Sequence, residues 1–275
     1  MIKIFLSVRN RLEMTKKCIE AIQRHTTIAH EIYAYDNNST HLVDGHFDYF
    51  SELYRKGDIA QITFTTFKST FNAFSKAASC NFFGLQHEQD PERDKYAFLL
   101  ILDNDIILTP GWDKKIKAAW NFINKKKMNY IKVVGQRPGG IKNTTEKYEF
   151  NGMIGNCGRL GGSALWAVRS NFFKDVGFLD LKRLVGRNKM HDQLYWQKLA
   201  AASKGKPYIM GLNQKLGIHC GRNAGSVCNV LTRNKSKQDK QEKIKFKHAE
   251  KNIASHTFDE FYDLIIDNKK LFKDW

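Results

Sequence analysis

Two short apolar runs limit what this chain can become more than any other feature. Residues 2–8 and 97–102 are almost continuously apolar, the pattern of strands covered on both faces. Leu12, Thr15, Ile19 and Ile22 recur at helical spacing and predict a helix over 12–25. Further helices are expected near 46–55 and 70–85, with strands at 31–35 and 59–65. Strands alternating with helices of about 10–15 residues predict parallel β-α-β units with right-handed connections. Ligands of such sheets bind beyond the carboxyl ends of the strands. Both acidic runs of this half, Asp36-Asn37-Asn38-Ser39-Thr40 and Asp103-Asn104-Asp105, fall at that edge.

The second half is less regular. Ile116, Trp120 and Ile123 give one helix stripe, closed by Lys125-Lys126-Lys127, which suits the negative end of a helix dipole. Short strands are expected at 133–134, 164–168, 208–210 and 216–219, Gly-rich turns over 152–162, and a helix over 191–202. Residues 234–251 are highly charged, and Phe258, Phe261 and Ile265 then recur at helical spacing. The expected division is a domain over 1–230, in halves 1–105 and 106–230, with a charged helical extension over 231–275.

Charge sharpens this division. Of 45 basic and 28 acidic side chains, residues 1–100 hold 12 of each, whereas 101–230 hold 22 basic and 8 acidic. The net +14 of that segment attracts polyanions, although a solvated Lys-rich surface has the same composition. No apolar run reaches the roughly 18 residues of a membrane span, and the apolar start is short for a signal peptide. The five cysteines, at 18, 80, 157, 220 and 228, form no CxxC pair, which suits a reducing, cytoplasmic compartment.

Asp103-Asn104-Asp105 follows directly on a buried-type strand. Two carboxylates one residue apart can share a divalent cation and a sugar hydroxyl, since hard cations take oxygen ligands and keep positions open for phosphates. An ordinary Asp/Asn turn reads the same way. The surrounding motifs bear on the choice. Ser7-Val8-Arg9-Asn10-Arg11 follows the first strand, Asp36-Asn37-Asn38-Ser39 the second, and Lys76-Ala77-Ala78-Ser79-Cys80-Asn81 lies on the third helix. Leu102-Asp103-Asn104-Asp105-Ile106 precedes Pro110-Gly111-Trp112. Then come Gly161-Gly162-Ser163-Ala164, Arg169, Val176-Gly177-Phe178-Leu179-Asp180, His191-Asp192-Gln193 and Gly217-Ile218-His219.

In order and spacing, over about residues 1–220, this set resembles family 2 glycosyltransferases of the GT-A fold. The resemblance implies an α/β protein, a Rossmann-like mixed sheet flanked by helices, with the helical extension added. It implies a nucleotide-sugar donor, expected to be UDP-linked, held by Ser7, Arg9, Asn10, Asp36, Asn38, Asp103, Asn104 and Gly162. Asp105, with Asp103 and His219, would ligate a divalent metal, and an imidazole suits Mn²⁺ better than Mg²⁺. Asp192 would be the general base that takes the acceptor's proton. Where the family usually has an acidic pair, His191 precedes it, so His191 is the alternative base. Each residue also has a plainer reading: Asp36 as a turn cap, Asp192 as a helix cap, a lone histidine as structural.

The basic half is the acceptor half in this fold. Arg137, Arg159 and Arg187 would flank an anionic acceptor, and Trp166 and Trp196 would offer ring faces unless they belong to the core. Two acceptors fit: DNA carrying hydroxylated bases, which needs an exposed base, and an envelope glycan at an anionic membrane surface, which implies peripheral membrane contact. DNA is the first expectation because the charge lies in the body of the chain. A catalytically inert nucleic-acid-binding protein on the same scaffold is the remaining alternative.

Overall fold

A computed structural model describes residues 1–9, 11–37, 39, 45–65, 72–135, 144–158, 165–179, 198–204 and 206–219. Only the backbone is described at 37, 65, 72–76 and 219. The expected extension over 231–275 lies outside these residues.

The first half alternates as its sequence predicts. Strand β1 (Ile2–Val8) leads into α1 (Leu12–His25), β2 (His30–Asn37), α2 (His46–Lys56), β3 (Gln61–Thr65), α3 (Asn72–Gln89) and β4 (Phe98–Asp103). All seven residues of β1 are buried, because helices cover both sides of the sheet. On one face Ile4, Leu6 and Leu100 pack with Ile19 and Ile22 of α1 and Phe50 of α2. On the other, Phe5 and Ile101 pack with Ala77 and Phe83 of α3. Burying such a side chain stabilises by about 1.5–3 kcal/mol relative to leaving it in water. Strands β1, β2, β3 and β4 are parallel, with β1 between β2 and β4.

The chain continues through β5 (Ile106–Leu108), α4 (Trp112–Lys125), β6 (Lys132–Val134), β7 (Glu146–Phe150), β8 (Met153–Gly158), β9 (Leu165–Val168), α5 (Phe172–Val176), β10 (Ile209–Leu212) and β11 (Gly217–His219). Among the described residues, nine strands form one mixed sheet in the order β3-β2-β1-β4-β9-β6-β10-β8-β7, and β5 pairs with β11 in a separate ribbon. Strand β9 runs antiparallel to β4 and joins the two halves. Helix α4 sends Trp112, Ile116 and Ile123 into the same core as α1, as its stripe predicts. Helix α5 packs so closely on α3 that a Cβ on Gly84 would stand 2.4 Å from the Phe173 ring.

The second half departs from expectation where strands lack an apolar signature. Residues 152–162, expected as turns, contain β8, and Gly152 (φ 69°) makes only the turn joining it to β7. Strand β7, Glu-Lys-Tyr-Glu-Phe, lies at the sheet edge with three of its five residues exposed, so charge replaces the apolar alternation. Of the helix expected over 191–202, residues 198–202 are described and helical. Cys18, Cys80 and Cys157 are buried. Among the described residues no helix is long and apolar enough to cross a membrane.

Candidate functional site

The parallel register brings the predicted donor residues to one edge. Ser7 lies between Tyr35 of β2 and Asp103 of β4, and Val8 lies opposite Asp36. Asp103 ends β4, after which the Asn104 N–H donates to the Ser7 carbonyl at 3.1 Å and the Asn104 side chain donates to Thr15 Oγ1 at 2.8 Å. The turn between β4 and β5 is thereby tied to both β1 and α1. Asp105 follows, 8% exposed, and β5 starts at the next residue. His219 of β11 pairs with Ile106 of β5. In an antiparallel ladder, paired Cα atoms stand about 4.5–5.5 Å apart, so the backbone of His219 lies beside the residue that follows Asp105.

A cation faces this turn. Arg11 Nη1 lies 3.5 Å from Asp105 Oδ2 and 3.9 Å from Met14 Sδ. Arg11 occupies the left-handed region (φ 58°, ψ 56°) at the start of α1, a conformation that costs a non-glycine residue about 1–2 kcal/mol. Thr15 holds it there: its N–H donates to the Arg11 carbonyl at 3.0 Å and its hydroxyl at 3.1 Å.

Three expected residues take structural positions. Asp36 is 1% exposed, and its two carboxylate oxygens accept from the Ser39 N–H and the Ser39 hydroxyl, each at 2.7 Å. The turn-capping reading of Asp36 is therefore realised. Asn104, expected to touch the donor, directs its amide to α1. Trp166, expected as a face for the acceptor, is 1% exposed in the core against Phe172, with Lys132 Nζ 4.3 Å from its ring centre. The ring presents no free face, which corrects that expectation. Arg9 follows β1 and is partly buried. Asn10, Asn38, Gly162, Arg137, Arg159, Arg187, His191, Asp192 and Trp196 lie outside the described residues.

Other side chains brace the framework; sequence reading named Asn81 and Arg169 without their partners and missed His25 and Asp113. Buried His25 donates from Nδ1 to the Leu108 carbonyl at 2.7 Å, fixing β5 against α1. Burial is the main cause that lowers the His25 pKa, so the ring is neutral at neutral pH. Asp113 is fully buried, and its Oδ2 accepts from the Thr27 N–H, the Ile28 N–H and the Thr27 hydroxyl at 2.7–2.9 Å. Burial alone would raise its pKa, but these bonds outweigh that and hold it below the usual carboxylate value. Asn81 bonds Leu179 twice at 2.9 Å, donating to its carbonyl and accepting from its N–H. That clamp explains the asparagine of the third motif. Arg169 donates to the carbonyls of Met128 and Tyr130, both at 2.9 Å. These partners are distant in sequence, and only the motifs that contain Asn81 and Arg169 pointed to any of these residues.

Among the described side chains, no three His, Cys, Asp or Glu groups form a metal cluster. The two carboxylates of the turn and an imidazole from His219 would supply oxygen and nitrogen donors of the kind Mn²⁺ accepts. The cross-strand position of His219 is compatible with that set.

No protein-family model matches the chain, and no curated protein does. Solved structures do. Residues 1–349 of S. aureus TarS are 13% identical, with a TM-score of 0.51, over 98% of this chain and 76% of that one. The chain spans 46% of a longer TarS structure. GalNAc-T7, solved with UDP, GalNAc and Mn²⁺, is 10% identical with a TM-score of 0.52 over 77% of this chain and 42% of its own. The mannosyltransferase PcManGT of Pyrobaculum calidifontis, solved with GDP-Man and Mn²⁺, is 9% identical with a TM-score of 0.50 over 92% and 74%. The likeness is one of fold: the chain has the mixed α/β architecture of GT-A glycosyltransferases.

Proposed function

We propose that this chain is a metal-dependent, inverting glycosyltransferase of the family 2 kind, transferring a sugar from a nucleotide sugar to a hydroxyl of an anionic acceptor. The carrying observation is that Asp103, Asp105 and the backbone of His219 meet at the carboxyl edge of the sheet, where ligands of α/β folds bind. Solved proteins of this fold include TarS with UDP-GlcNAc and PcManGT with GDP-Man and Mn²⁺, so a UDP-linked donor with Mn²⁺ is the first combination to test.

Asp103, Asp105 and His219 would hold the metal, which supplies positive charge to the departing nucleoside diphosphate. Ser7, Arg9, Asn10, Asn38 and Gly162 would contact the donor. Asp36 would act through the turn it caps. Asp192 would take the acceptor's proton while the acceptor oxygen bonds to the anomeric carbon and the bond to the diphosphate oxygen breaks. One displacement inverts that carbon, and His191 is the alternative base. The +14 of residues 101–230 supports an anionic acceptor, with DNA bearing hydroxymethylated bases the first candidate and Arg137, Arg159 and Arg187 among its contacts.

The test is nucleoside diphosphate release from a panel of nucleotide sugars with Mn²⁺, with and without hydroxymethylated DNA. Release that needs the metal and the DNA and vanishes in Asp105→Asn is the expected result. Release that ignores DNA would keep the enzyme and move the acceptor to envelope glycans. No release from any donor would sink the catalytic reading.

A further inference from the structure

Arg11 closes the motif that follows β1 but has no role in the reading above. Its backbone is strained into the left-handed region, and positions of that kind persist only where neighbours hold them. Thr15 does so through two bonds to the Arg11 carbonyl. The consequence is the side chain's aim at Asp105. Both side chains are largely withdrawn from water, 19% exposed for Arg11 and 11% for Asp105. At 3.5 Å the contact is a charge pair at the outer limit of a hydrogen bond, without the two-pronged geometry of a strong arginine–carboxylate pair. A guanidinium does not lose its proton in a protein. It gives up Asp105 only by moving away.

We propose that Arg11 is the counter-ion of Asp105 in the empty protein and that it couples metal binding to nucleotide binding. The inference rests on the metal-dependent reading above. Asp105 Oδ2 cannot serve a divalent ion and a guanidinium together without bringing two like charges close in a poorly screened place. Metal alone therefore binds against competition from Arg11. A nucleoside diphosphate changes that balance, because its phosphate oxygens match the planar fork of arginine and give the displaced guanidinium a new partner. Diphosphate then strengthens metal binding, and by linkage the metal strengthens diphosphate binding by the same factor.

The experiment is Mn²⁺ binding to the full chain, followed by the electron paramagnetic resonance signal of free Mn²⁺, with and without UDP. Wild type is compared with Arg11→Gln, Arg11→Lys and Asp105→Asn. Arg11→Gln is expected to bind Mn²⁺ alone about tenfold more tightly than wild type and to lose most of the enhancement by UDP, a size ordinary for coupled sites. Arg11→Lys keeps the charge without the fork, so it binds Mn²⁺ alone as weakly as wild type but shows a reduced enhancement. If Arg11→Gln does not fold, Arg11→Lys decides, an unchanged enhancement overturning the proposal. Binding that depends on Asp105 but is indifferent to Arg11→Gln overturns the proposal and leaves the metal-dependent reading standing. Absence of any Asp105-dependent binding, with or without UDP, overturns both.

Discussion

The two ends of the parallel sheet each gather charge, and they use it in opposite ways. At the amino end, Lys3 is 2% exposed, paired with Asp90 at 2.9 Å and faced by the rings of Tyr33 and Tyr96 at 4.4 and 5.0 Å. Glu31 nearby accepts from Tyr96, Tyr33 and Lys95. At the carboxyl end, two carboxylates one residue apart stand at the β4–β5 turn, and Asp105 lies 3.5 Å from the Arg11 guanidinium. Good geometry marks the first cluster as part of the framework. The second keeps two like charges within one short turn, an arrangement that a bound cation would improve.

The sharpest way to break this comparison is to remove one carboxylate from each end. Asp105→Ala is expected to lower kcat by about a thousandfold, the scale of losing transition-state charge stabilisation, while the melting temperature stays unchanged. Asp90→Ala should do the reverse. It leaves Lys3 buried without its anion and costs about 3 kcal/mol, the low end of the range for a broken buried pair because Asp90 keeps 19% exposure. Its activity per folded molecule should match wild type. Denaturant melts and initial rates on both variants decide the matter; an Asp90→Ala enzyme that folds normally but is inactive would put function at the wrong end.

The same contrast explains what could be read from sequence. Strands β1 and β4 were legible because both faces are covered and apolar residues run on without a break, and the Asp turn was legible because it ends such a run. Lys3, inside β1, does not spoil the pattern, yet nothing in the sequence shows that Asp90 meets it. Arg11 and Asp105 are 94 positions apart, Asn81 and Leu179 98. Pairings of this kind follow from the register of the whole sheet, which no local window contains. Trp166 stayed open for a related reason: an aromatic at such a place reads alike whether its ring faces a ligand or, as here, lies in the core beside Lys132. In the β7–β8 hairpin, β7 was missed because an edge strand is allowed to be charged, and β8 because its glycines read as turns.

A smaller effect is expected at Asp113, whose partners Thr27 and Ile28 lie just before β2. Asp113→Asn should cost about 2 kcal/mol, since one acceptor oxygen that takes three bonds becomes half of an amide. The pH dependence has a definite sign. Both Asp113 and Asp90 have pKa values below the ordinary ones; for Asp90, burial acts upward but the bonds from Lys3 and Glu92 outweigh it. Their contribution is complete above the unfolded carboxylate pKa of about 4 and is lost as the pH falls through the lower folded values. Stability measured from pH 6 to pH 2 should therefore fall less steeply in Asp113→Asn than in wild type, with a difference that vanishes at the acid limit. Equal slopes would mean that the carboxylate is not held as the bonds indicate.

A smaller loss of stability than at Asp113 is expected at Thr15, and there the framework and the site meet. Its hydroxyl donates to the Arg11 carbonyl and accepts from the Asn104 amide, bridging the strained start of α1 to the turn that carries Asp105. Thr15→Val keeps the shape and removes both bonds, at a cost of about 1 kcal/mol. A residue that only stabilises would show no more than that. As a positioning residue, Thr15 should also raise the donor KM several-fold while leaving kcat within about twofold, because the turn loses its register with Arg11 without losing a group that acts in the transition state. Thr15→Ser restores the hydroxyl and should restore KM. Recovery of stability by serine without recovery of KM would confine Thr15 to the framework, and the boundary between the two kinds of charge cluster would then lie between Thr15 and Arg11.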